Sequence, residues 1–248
     1  GSEEGFSADN VSLIPAEKVL SSRAADLDGD GWLDLIIGGY NGLDSKDPFN
    51  TFVYIYWGGP EGFSNERRTQ LPANFACDIS IADFNNDGIL DIFVACYHSL
   101  RTRDLDSYIY WGSEGGIYST ENRKRLFCHS AAGALAADFN EDGWIDLAVA
   151  NHKTNGNHPG DSFIWWNGPE GFSEDNITRL PTFGPHGITH IDIGNIMDRS
   201  DEEYYVSAPI DISQDNAVIM TEANYHSENE NTELPNNTYF IKGISWIA

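Results

Sequence analysis

The chain's 248 residues are enough to bury a sizeable core, and Gly, Asn, Asp and aromatic residues dominate it without long helical periodicity, which reads as all-β. Its 14 basic against 39 acidic residues give a net charge of −25, which excludes nucleic acid and an anionic membrane surface as partners. No run approaches the ~18 apolar residues of a membrane span, so membrane insertion is not expected, and no signal peptide opens the chain.

Gly1 and Ser2 read as a cloning remnant, so the missing leader says nothing about export. Gly5, Phe6 and Ser7 form the first copy of a short motif that returns later. The dominant feature follows at 26–34, where carboxylates Asp26, Asp28, Asp30 and Asp34 stand at positions 1, 3, 5 and 9, with Gly31 at position 6 where a tight turn needs positive φ. Hard oxygen donors at alternate positions wrap one Ca2+, and the carbonyl of Trp32 at position 7 is a further expected ligand. An EF-hand would close with Glu at position 12, but Ile37, Val94 and Val149 stand there, and an apolar stretch follows position 9 each time. The loop is therefore expected to join two strands.

Tyr54, Ile55, Tyr56, Trp57 and Gly58 come next, followed by Gly62, Phe63 and Ser64. The whole set then recurs. The second loop has Asp83, Asn85, Asp87 and Asp91 with the carbonyl of Ile89, and the third has Asp138, Asn140, Asp142 and Asp146 with the carbonyl of Trp144. Tyr110, Trp111 and Gly112, then Gly116 and Ser119, follow the second; Trp165, Trp166 and Asn167, then Gly171, Phe172 and Ser173, follow the third. Each unit reads as strand A before the loop, B after it, C carrying the aromatic-Trp pair, and D beginning at the Gly-Phe-Ser motif. Recurrence once per unit assigns the aromatic-Trp pairs to packing between units, although indole faces also suit sugars.

Four-stranded antiparallel units of this period stack into a β-propeller. The loops followed by a small apolar strand resemble the FG-GAP/VCBS repeats of integrin α-subunit-like propellers. The resemblance covers roughly residues 5–210. It implies a calcium-stabilised extracellular, cell-surface or periplasmic domain that binds a protein or carbohydrate ligand; a structural spacer in a larger exported protein is the second reading, and a lyase or hydrolase the third.

A single domain over 3–248 is expected, with four blades at about 24–74, 75–127, 128–183 and 184–248, the last completed by an N-terminal strand at 5–14 beside strand C at 239–246. In the fourth unit Asp192 occupies position 1, but Gly194 and Ile196 replace the next ligands, so three Ca2+ sites are expected rather than four. Its strand B is expected at 204–206, and 211–237 reads as an insertion loop. A separate β-sandwich beginning at 204 is the rival reading. Cys77, Cys96 and Cys128 are compatible with a Cys77–Cys96 disulfide or with three separate thiols, and the sequons at Asn10, Asn176 and Asn236 decide nothing.

Up-and-down blades place A–B and C–D connections at one end and B–C and D–A connections at the other. The second end gathers Tyr40, Asn41, Tyr97, His98, Asn151 and His152 from B–C turns and His129 and His186 from D–A turns, a candidate ligand site or an ordinary set of loop residues. No metal-protease, nucleophile-elbow or phosphate-loop spacing occurs, so catalysis is not expected.

Overall fold

The computed structural model describes residues 11–14, 16, 18–41, 46, 49–192 and 216–222, with the backbone alone at 189–192 and 216–222. Among these residues there is no helix. Strands β1 (Val19–Ala25), β2 (Asp34–Gly39), β3 (Asn50–Tyr56) and β4 (Arg68–Asn74) form the first antiparallel sheet in chain order. β5 (Ala76–Ala82), β6 (Asp91–Cys96), β7 (Asp104–Tyr110) and β8 (Arg123–His129) form the second, and β9 (Ala131–Ala137), β10 (Asp146–Asn151), β11 (Pro159–Trp165) and β12 (Ile177–Phe183) the third. β13 (Pro185–Asp192) pairs with β14 (Asn216–Glu222). The inner strands neighbour one another in order, β1 beside β5, β5 beside β9 and β9 beside β13, as in propeller-like blades.

The second strands β6 and β10 are buried at every residue, which explains their unbroken apolar character: both faces are covered by neighbouring sheets. The first strands are built of small residues because their backbones approach closely. Ser21, Asp78, Gly133 and Gly187 all lie five residues before position 1 of their units. A Cβ on Gly133 would stand 2.9 Å from the Cα of Gly187, so only glycine suits β9 there. Asp78 uses the same position differently. Its Oδ1 accepts from Ser21 Oγ at 2.9 Å and from Arg23 Nη2 at 2.6 Å, and its Oδ2 accepts from Ala134 N at 3.0 Å, so one carboxylate ties three sheets together.

Second and third strands of each sheet pair over only three residues, then splay. The freed polar groups at the second strand's end are met by a hydroxyl on the third. Cys96 N donates to Ser107 Oγ at 3.0 Å, Asn151 N donates to Ser162 Oγ at 3.2 Å, and Thr51 Oγ1 donates to the Gly39 carbonyl at 3.2 Å.

Strand D does not begin at the Gly-Phe-Ser motif. Gly62, Gly116 and Gly171 have φ of 73°, 72° and 72°, outside the range a strand adopts, and the fourth strands start at Arg68, Arg123 and Ile177. The stretch 211–237 is likewise not an uninterrupted loop, since β14 lies within it; Val218, Ile219 and Thr221 supply β-branched residues that the polar composition of the whole segment masks. The strand B expected at 204–206, the fourth-unit loop 193–203, and strand C at 239–246 lie outside the described residues. Of the N-terminal strand expected at 5–14, residues 11–14 form no strand, with Val11 and Leu13 exposed, and the remainder is outside the described residues.

All three cysteines are free. Cys77 is the extra residue of a bulge between Ala76 and Asp78, while Cys96 is fully buried, and burial pushes each of the three thiols up to about 12.

Candidate metal loops and an aromatic face at the opposite end

The three loops have one backbone. Position 6 is left-handed in each, with φ of 88° at Gly31, 85° at Gly88 and 89° at Gly143. Position 4 is left-handed too, with Gly29, Asn86 and Glu141 at 76°, 56° and 60°. This curl aims the first carboxylate inward: Asp26 Oδ2, Asp83 Oδ2 and Asp138 Oδ2 accept from the N–H of Gly31, Gly88 and Gly143 at 2.9, 2.8 and 2.8 Å. Position 5 then turns back, its carboxylate in Asp30, Asp87 and Asp142 accepting from the N–H of Trp32, Ile89 and Trp144.

Position 9 anchors the loop. Asp34, Asp91 and Asp146 are almost completely buried, and each spends both oxygens on backbone N–H groups. One oxygen accepts from Leu27, Phe84 or Phe139 within the loop, and the other from Gly58, Gly112 or Asn167 at the end of the third strand. Burial, and after it the backbone bonds and the neighbouring loop carboxylates, sets their titration. Burial and like charge win, raising Asp34 and Asp146 and pushing Asp91 up to about 6. Crowded, desolvated, oxygen-only donors of this kind fit a hard divalent cation.

Among the described residues, Asp26, Asp28 and Asp34 are the one group of three His, Cys, Asp or Glu side chains whose ligand atoms converge within 4.8 Å. In the other loops the third-position amides of Asn85 and Asn140 accept from the N–H of Asp87 and Asp142 while donating to the same residues' carboxylates. Asn86 Nδ2 donates to the Gly143 carbonyl at 3.1 Å, so the second and third loops are linked.

The Gly-Phe-Ser motif and the aromatic-Trp pair complete this end. Gly116 approaches so closely that a Cβ there would lie 2.7 Å from Asp28 Cβ and 2.8 Å from the Trp57 ring. Tyr118 joins the buried cluster containing Leu27, stacks on Trp57, and donates to the Leu90 carbonyl at 2.7 Å. Phe172 of the third sheet meets Phe84 of the second loop edge-on at 5.7 Å. The motifs of the second and third sheets therefore plug the preceding unit's loop, whereas Phe63 in the first sheet's motif is exposed, and the tryptophans of the pairs pack between sheets.

At the other end, each D–A connection is a single left-handed residue: Phe75, Ser130 and Gly184, with φ of 52°, 50° and 59°. Their N–H groups donate to Phe49, Arg103 and His158 carbonyls, which fastens each B–C loop to the neighbouring turn. A phenylalanine in this conformation is strained, and its ring sits at the centre of a cluster. Tyr40 stacks on Phe75 at 4.7 Å, and Tyr97 and His98 lie 5.2 and 5.1 Å from it. Tyr97 continues to His152 at 5.6 Å, and His152 to His186 at 4.0 Å and His158 at 5.0 Å.

The structure thus brings Tyr40, Tyr97, His98, His152 and His186 into one belt across successive sheets. Asn41, Asn151 and His129 have other employment. Asn41 Nδ2 donates to the Asn50 carbonyl, and the buried Asn151 accepts from His129 N and donates to the Asp161 carbonyl. His129 Nδ1 lies 2.5 Å from Asp104 Oδ1. Phe75, Phe49 and His158 belong to the belt without having been expected there; a turn residue's handedness and a ring's direction leave no mark in residue spacing. Burial holds His98, His152 and His186 below the usual imidazole range; His152, further depressed by His186 although the Gly184 carbonyl opposes this, falls to about 4.

Repeated four-stranded antiparallel units with acidic A–B loops and an aromatic opposite end define a propeller-like sheet protein. Residues 26–94 match the sequence model of the FG-GAP-like repeat. Three relatives are similar over about half of the chain. Phosphatidylinositol-glycan-specific phospholipase D of Rattus norvegicus is 29% identical over 52% of this chain and 18% of its own length. Integrin alpha-4 of Xenopus laevis is 30% identical over 51% and 13%, and integrin alpha-6 of Homo sapiens 30% over 51% and 12%. The chain therefore carries an FG-GAP repeat with an integrin-like fold, and it spans less than a fifth of the length of these relatives. No helix among the described residues is long and apolar enough to cross a membrane.

Proposed function

We propose that this chain is a calcium-stabilised binding module of an exported protein, holding a protein ligand on the face made by its B–C and D–A turns. The observation that carries the reading is the aromatic and imidazole belt at the end opposite the loops, centred on a phenylalanine held at φ 52°. Strain retained at a half-buried turn fits a surface shaped for recognition. Two of the relatives are integrins, which supports an adhesion-type role in an extracellular or cell-surface setting.

Calcium would be held by Asp26, Asp28, Asp30, Asp34 and the Trp32 carbonyl; by Asp83, Asn85, Asp87, Asp91 and the Ile89 carbonyl; and by Asp138, Asn140, Asp142, Asp146 and the Trp144 carbonyl. It would neutralise the crowded carboxylates and lock the loops that the neighbouring aromatic plugs cover. Each ion would add about 2.7 kcal/mol at a free concentration 100 times its Kd.

Two measurements test this reading. Chelation with EDTA should lower the melting temperature by many degrees, and an unchanged melt removes calcium from the account. A protein ligand retained by the unaltered chain should be lost by Tyr97→Ser and kept by Asp87→Ala below that variant's melting temperature. The reverse pattern overturns the assignment of faces.

A further inference from the structure

Most arginines of the described residues are occupied. Arg23 pairs with Asp78 and Arg125 with Asp106; Arg67 donates to the Trp57 and Gly58 carbonyls. Arg68, Arg123 and Arg179 lie over the rings of Tyr54, Tyr108 and Phe163. Arg101 and Arg103 differ: among the described residues neither has an ion pair or a hydrogen bond from its side chain, although the chain carries 39 acidic residues.

Both line one cleft of about 520 Å³ between the B–C loops of the first three sheets, with Phe49, Leu100 and Asn155 on its walls. The Arg103 guanidinium lies over the Tyr97 ring at 5.1 Å, and its Nη1 is buried without a hydrogen-bond partner. A buried, unpaired guanidinium nitrogen is costly, and a carboxylate is the group whose geometry best satisfies it.

The loop is preorganised. Ser99 N donates to the Thr102 carbonyl at 2.9 Å, and Ser99 Oγ accepts from the N–H groups of Arg101 and Thr102, closing a turn that presents both arginines. The acidic group in the cleft is already engaged, since Asp104 Oδ1 faces His129 Nδ1 at 2.5 Å and accepts from Asn155 N at 3.2 Å. Leu100, 58% exposed, and Phe49 flank the charged centre with apolar surface. An aromatic-backed arginine beside exposed apolar side chains is the composition of a protein-interface anchor, whereas a sugar acid would meet leucine with hydroxyls.

The geometry points to a recognition site for an Asp or Glu side chain of a protein ligand, bound by the Arg103 and Arg101 guanidinium groups in the cleft between the B–C loops. This deepens the ligand-face reading above and rests on it. The acidic side chain would complete the hydrogen bonding of Arg103 Nη1, and Leu100 would cover the peptide on either side. The long-range repulsion from a net charge of −25 is screened at physiological salt, so the local contact decides binding.

The test uses the calcium-loaded chain at about 0.15 M salt and follows the arginine Nε–H resonances by NMR during titration with a hexaglutamate peptide. The Arg103 resonance should shift saturably, with Kd at least fivefold higher in Arg103→Gln and at least twofold higher in Arg101→Gln, whose exposed position leaves the fold unchanged. No shift, an equal shift with hexaglutamine, or tighter binding of a galacturonic acid trimer overturns the proposal. A natural ligand lost by Tyr97→Ser yet retained by Arg103→Gln would sink the carboxylate site while leaving the ligand face standing.

Discussion

Ser130→Gly should stabilise this protein, although it deletes a fully buried side chain. Ser130 holds φ at 50° because both of its backbone groups are committed: its N–H donates to the Arg103 carbonyl at 2.7 Å, and its carbonyl accepts from His152 N at 3.0 Å. A non-glycine residue in this conformation costs about 1–2 kcal/mol. The Ser130 hydroxyl is also buried without a hydrogen-bond partner, at a cost of about 1–3 kcal/mol. Glycine removes both penalties and returns about 0.5–1 kcal/mol through its freer unfolded chain, with about 1 kcal/mol lost in packing. The net gain is about 1–2 kcal/mol, or roughly 2–4 °C in melting temperature for each kcal/mol in a chain of this size. The corresponding turn of the next unit already holds Gly184 at φ 59°. Thermal and urea unfolding at saturating calcium measure the effect, with Ser130→Ala, which keeps the Cβ strain, expected to gain less. A lower melting temperature for Ser130→Gly would refute the argument that strain and the orphaned hydroxyl outweigh packing there.

The remaining predictions concern charge. His152 is held neutral, and its depressed folded pKa of about 4 against an unfolded value near 6.5 means that its contribution is complete above about pH 6.5 and is lost as pH falls toward 4. His152→Gln should flatten the stability profile across that window by up to about 3 kcal/mol, and parallel profiles would show that the histidine does not titrate as described. Asp78→Ala should cost about 2–4 kcal/mol, since it strands the Ala134 N–H and releases Ser21 and Arg23 together. Arg23→Ala, at the half-exposed end of the pair, should cost under about 1 kcal/mol, so equal losses from the two variants would contradict the assignment of the knot to the carboxylate.

The sequence by itself determined the repeating unit and the order of its first three strands. Four acids at positions 1, 3, 5 and 9 around a position-6 glycine dictate a tight loop, and the apolar run after Asp34, Asp91 or Asp146 must be a strand buried on both faces. These are short-range constraints, set by backbone sterics and by the alternation of side chains, and a one-dimensional string records them fully. Only the tertiary structure decided what faces what across sheets. Nothing in the spacing shows that the Gly-Phe-Ser motif is a turn plugging the previous loop, because its packing partner lies a whole unit away; Phe172 reads as a strand residue until Phe84 is found beneath it. The same holds for Asp78, one acid among many in the sequence, whose three partners come from β1 and β9 in the two neighbouring sheets. Phe75 is the extreme case. Its left-handed backbone is imposed by hydrogen bonds to Phe49 and Tyr97, and only that imposed turn carries its ring into the belt joining Tyr40 to His152.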